Sequence, residues 1–182
     1  MMMLATLLAA AAAPAPTDAL VWTDLSGKNT LTWSRDGAIT VDHRVVSSGK
    51  HYWYRQLSVA PPECIGSDHA FAMSDTVTVT DADSDGIDEV SFAIRSGCTA
   101  DGSAVSLSVY LWEDGAMHQL WSETAGSAPD GTRTTTAPKL SASLDDNPAL
   151  ASAILDRFTA DIESDPILLS APIVLHRTSS RQ

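Results

Sequence analysis

The chain has 182 residues, of which 23 are acidic and 11 basic, for a formal net charge of −12. A surface of that sign repels nucleic-acid phosphates and anionic lipid headgroups, so neither is an expected partner. Five tryptophans, five histidines and two cysteines are the residues from which a site or a brace would be built.

The amino terminus opens on Met1, Met2, Met3 and Leu4 and runs through alanines to Ala13, followed by Pro14, Pro16 and Ala19. An apolar stretch of about ten residues is too short to span a bilayer but suits the core of a signal peptide. Cleavage is expected after Ala19, leaving residues 20–182 as a single exported domain, periplasmic or extracellular. Roughly 160 residues suffice for one domain with a sizeable core. No further run is apolar for long enough to cross a membrane.

Two strands are predicted from Leu20 to Arg35, with a turn at Ser26, Gly27, Lys28 and Asn29. The pair Asp36-Gly37 marks a hairpin, after which Ile39, Val41, His43 and Val45 alternate with polar residues. Gly49 marks another turn before an aromatic strand through His51, Tyr52, Trp53 and Tyr54. Pro61 and Pro62 end it, and a loop containing Cys64 and Asp68 leads on.

The next segment carries the strongest chemical signal. Asp81, Asp83, Asp85 and Glu89 occupy positions 1, 3, 5 and 9 of a short loop, with Gly86 at position 6. Carboxylates at alternate positions of a tight turn converge on one centre and repel unless a cation joins them. A set of oxygen ligands suits Ca²⁺, with the Ile87 carbonyl as a fifth donor. The loop is no EF-hand, because position 12 is Phe92 and the flanking residues alternate with period two, as strands do. The acids are therefore placed in a hairpin turn, with Asp88 directed outward.

Cys64 and Cys98 flank this hairpin, and an even count in an exported chain predicts a disulfide. Closing a loop of about 35 residues stabilises a fold by roughly 3–4 kcal/mol on chain-entropy grounds. Beyond it, Val105, Leu107, Val109 and Leu111 face one side of a strand; Ser106, Ser108, Tyr110 and Trp112 face the other. Glu113, Asp114 and Gly115 turn the chain into a strand from Met117 to Trp121, and residues 125–138 read as a long loop. Asn147 is a helix N-cap with Pro148 at the first helical position. Leu150, Ile154, Phe158 and Ile162 then form one apolar stripe, predicting a helix near 148–164, with Pro166 beyond it. A last strand or packed tail is expected over 167–175. The fold class is mainly β: a single antiparallel β domain with one C-terminal α-helix.

The histidines at 43, 51, 69, 118 and 176 show no metalloprotease spacing, and no nucleophile elbow or phosphate loop occurs. No residue is assigned a catalytic role. The aromatic groups at 51–54 and at Tyr110 and Trp112 would bind pyranose rings if exposed, and would fill the core if buried.

The order of Gly27 and Asn29, Cys64 and Asp68, the acidic loop with Glu89-Val90, Cys98 and Asp101, and the Asn147-Pro148 helix resembles a known family. That family consists of exported bacterial proteins labelled surface polysaccharide biosynthesis proteins. The chain departs from it at Gly102-Ser103-Ala104 and at residues 117–121. The acidic loop alone is similar to the Ca²⁺ loops of FG-GAP propeller repeats, but a propeller needs several blades and this chain has one good copy. The resemblance implies an envelope protein. The expectation is a non-catalytic exported β domain with a structural Ca²⁺ loop, whose partner is a cell-envelope glycan or protein. The alternative is an envelope polysaccharide-processing enzyme.

Overall fold

The structure, a computed structural model, describes residues 18–47, 52–64, 69–98, 104–125 and 134–164. Four strands, β1 (Asp18–Asp24), β2 (Gly27–Asp36), β3 (Ala38–Val46) and β4 (Tyr52–Val59), form an antiparallel meander in chain order. The turn after β1 is tighter than the sequence implied: Asp24 pairs with Gly27, so only Leu25 and Ser26 lie outside the ladder. Gly37 takes the positive φ of 71° that the Asp36-Gly37 turn requires. Of the expected leader, Asp18 and Ala19 lie within the described residues, where they open β1.

The second sheet is built around β7 (Glu89–Cys98) and β8 (Val105–Glu113). β9 (Ala116–Ala125) extends it on one side. On the other side β5 (His69–Met73) and β6 (Thr78–Thr80) both pair with β7. The short strands β10 (Thr134–Thr135) and β11 (Lys139–Leu140) pair with β9, the first inside what the sequence presented as loop and the second just beyond it. All these pairings are antiparallel. A 3₁₀ turn at Ala142–Leu144 leads to α1 (Pro148–Ser164), and no helix among the described residues is long and apolar enough to cross a membrane. The predicted segment 167–175 lies outside the described residues.

Two apolar clusters order these parts into three layers. Leu31, Ile39 and Val41 of the first sheet pack with Val90, Phe92, Ile94, Tyr110 and Trp112 of the second. On the opposite face of the second sheet, Ala93, Leu107, Val109, Leu111 and Leu120 receive the helix stripe of Leu150, Ile154, Phe158 and Ile162. The second sheet is covered on both sides, so the first six residues of β7 are all buried. That is why β7 reads less cleanly as alternating than β3 does. Tyr110 and Trp112, 7% and 1% exposed, fill the layer between the sheets rather than forming a platform for sugars.

Helix and sheet are also locked by one cation. Arg157 donates to the Ser74 hydroxyl at 2.9 Å and the Thr76 carbonyl at 2.6 Å, in the break between β5 and β6. It also pairs with Asp161 at 2.7 Å. The Cys64–Cys98 disulfide is formed, its ends 34 positions apart in the sequence. It ties the segment after β4 to the far end of β7 and therefore links the two sheets. Replacing both cysteines by serine is expected to lower unfolding free energy by about 2–4 kcal/mol, measured by urea denaturation.

Candidate metal centre

The acidic turn joins β6 to β7, with Thr80 and Glu89 facing each other across the ladder. Its conformation is fixed by its own side chains. Asp81 Oδ2 accepts the Gly86 amide, Asp83 Oδ1 the Asp85 amide and Asp85 Oδ1 the Ile87 amide. Ser84 and Gly86 take positive φ values of 67° and 88°. A Cβ at Gly86 would meet only the tip of the exposed Leu25 side chain, which can move aside, so the positive φ is what calls for glycine. These constraints aim the turn inward. One carboxylate oxygen from each of Asp81, Asp83, Asp85 and Glu89 lies within 4.8 Å of the others. Oxygen ligands at 2.3–2.6 Å from Ca²⁺ span about 4.6–5.2 Å across the ion, so the spacing fits that cation. Ile87, whose carbonyl is the fifth expected donor, belongs to the same turn.

Glu89 is the residue that distinguishes this turn from a solvated acidic hairpin. It is 1% exposed, and its Oε2 accepts the Ala82 amide at 2.6 Å. Its Oε1 is buried with no hydrogen-bond partner among the described residues. A buried carboxylate oxygen left without a donor is costly, and a cation removes that cost. Burial pushes the Glu89 carboxyl up to about 7, and the neighbouring charges of Asp83 and Glu113 add to the effect.

Three structural elements converge on the turn, none evident from the loop sequence. From the first sheet, the Leu25 amide donates to the Gly86 carbonyl at 3.0 Å, and Asp24 Oδ2 accepts the Asp88 amide at 3.1 Å. Burial opposes ionisation of Asp24, but bonds from Ser26, Asp88 and Gly27 outweigh it and hold its carboxyl below the usual range. Asp88 is half-buried against Asp24, not directed into solvent as the spacing implied. From the helix, Asn147 caps α1 by accepting the Leu150 amide at 3.2 Å. Its Nδ2 simultaneously donates to Asp83 Oδ2 at 3.0 Å. From the second sheet comes Glu113, at the end of β8. Burial pushes its carboxyl up to about 7, helped by the charges of Asp83 and Asp85 and by a hydrogen bond with Asp83.

Beside the turn, the seam between the sheets holds a cavity of about 20 Å³ whose lining includes Asn29, His43, Val45, Arg55, Ile87 and Glu113. That volume has room for about one water and none for a sugar ring. His43 stacks between Trp22 and Trp112, with ring centroids 5.3 and 5.9 Å away. The Asn29 amide nitrogen donates to the Gly27 carbonyl at 3.2 Å, so its oxygen accepts from His43 Nε2 at 2.9 Å. Burial, with the Arg55 charge, lowers the His43 pKa to about 4. His43 is therefore a neutral core residue. The side chains of His51, His69 and His176 lie outside the described residues.

No protein-family model, curated protein or solved structure matches this chain.

A pH dependence follows from Glu89. Its folded pKa lies above that of the unfolded chain, so the ion-free protein holds a proton on it below about pH 7. A cation requires the carboxylate, and binding must expel that proton. The affinity of this site for a divalent cation is expected to fall about tenfold or more from pH 7.5 to 5.5. Calorimetry at pH 6 in two buffers of different ionisation heat should show net proton release. Equal heats in both buffers would contradict it.

Proposed function

We infer that this chain is an exported, non-catalytic β domain whose hairpin turn binds one structural Ca²⁺. The single observation that carries the metal reading is the buried, partnerless Oε1 of Glu89, facing three aspartates in a turn of matching size. Calcium is favoured over zinc or copper because the assembled donors are oxygens. The role is structural because the same turn holds the first sheet through Asp24 and Leu25 and the helix through Asn147. Export is supported by the disulfide and by the apolar amino terminus. Association with the cell envelope or its glycans rests on the family resemblance. Among the described residues the exposed aromatic side chain is Tyr54, held by Asp42 and lying under Arg44 on the open face of the first sheet.

Titration calorimetry of the purified domain is expected to show one calcium site, abolished in Asp83→Ala, and a melting temperature lowered by chelation. No heat of binding together with no response to chelator would refute the metal reading. For the partner, a glycan array run with and without calcium should show retention without turnover. Cleavage or elongation of a retained glycan would instead establish the polysaccharide-processing enzyme.

A further inference from the structure

The turn alone does not complete a calcium shell. Ca²⁺ takes six to eight oxygens. Asp81, Asp83, Asp85 and the Ile87 carbonyl supply four, and Glu89 supplies one or two, for five or six in all. A seven- or eight-coordinate ion has at least one position left over.

Glu113, outside the turn's group of four carboxylates but on the neighbouring strand, is the carboxylate available to take it. Val90 pairs with Trp112 across the β7–β8 ladder, so the next pair outward brings Glu89 opposite Glu113. Two carboxylates facing each other across adjacent strands repel, and a sequence gains nothing from that placement unless a proton or cation lies between them. The Glu113 carboxyl hydrogen-bonds that of Asp83 and feels the charge of Asp85. Behind it stands His118, with Nε2 at 3.8 Å from Glu113 Oε2 and the two side chains 6% and 15% exposed. The His118 ring is held by a 2.8 Å bond between Nδ1 and the Ser143 hydroxyl, while its Nε2 is buried without a hydrogen-bond partner among the described residues. Ser143 precedes Asn147, whose amide reaches Asp83. Asp83, Glu113, His118 and Ser143 thus form a polar chain from the turn to the segment that leads into α1. Ligating carboxylates are commonly oriented by such outer partners.

We propose that Glu113 is a further calcium ligand, supplied by the sheet rather than by the turn, with His118 as its positioning residue. The inference rests on the reading of the turn as a calcium site. It makes the centre a junction between β8 and the β6–β7 turn, so the ion bonds two separate parts of the chain.

Two measurements test it. In a crystal of the native protein grown with calcium, a Glu113 oxygen is expected at about 2.3–2.6 Å from the ion. In solution, terbium replaces calcium, and its luminescence decay in water and heavy water counts bound waters. Glu113→Ala should add one bound water and weaken calcium about tenfold, a loss in keeping with one charged ligand fewer. Asp114→Asn removes a neighbouring charge and should leave the water count as it is. An ion bound by the turn with Glu113 outside its shell, or an unchanged water count in a folded Glu113→Ala protein, overturns this inference and leaves the calcium reading standing. Failure of the native protein to bind calcium or terbium overturns both.

Discussion

Repulsion among carboxylates at one corner of the sandwich is the constraint around which the other parts are arranged. Asp81, Asp83, Asp85 and Glu89 are brought within a few ångströms by a turn whose amides are already committed to them. The charge of Glu113, on the next strand, adds to theirs. Like charges at such distances do not stay together through packing alone. Protons relieve the repulsion at low pH, and near neutrality the proposed cation would do so. The first sheet's leading hairpin, the end of β8 and the start of α1 all come together there.

This arrangement gives the two apolar layers a shared anchor. The layer between the sheets depends on Phe92 and Trp112, and the layer under the helix on Leu111, Leu150 and Ile154. Each is a conventional core with well-buried side chains. What they share is β7 and β8, whose ends carry Glu89 and Glu113. Distortion at the corner therefore reaches both layers through these two strands.

Much of this was legible in the sequence because it is written in short periods. Alternation marked β3 and β8, a four-residue repeat marked α1, and the spaced aspartates marked the turn. Asn147 was readable as a cap, but its second bond to Asp83 was not, since 64 positions separate them. Glu113 looked like part of a turn, and only the β7–β8 register places it against Glu89. Strands β5, β10 and β11 were missed because each is short and takes its stability from a neighbour rather than from its own pattern. Tyr110 and Trp112 illustrate the same limit: a strand face rich in aromatics reads alike whether it meets solvent or another sheet.

β7 begins at Glu89 and ends at Cys98, so the strand shared by both cores is fastened at its two ends by chemistry external to the chain. One fastening needs an oxidant, and the other, the proposed ion site, needs free calcium. A reducing, calcium-poor medium withholds both at once, and an oxidising, calcium-rich one grants both. The same polypeptide would then be slack in the first medium and stiff in the second, its resistance to unfolding set by its surroundings with no change in sequence.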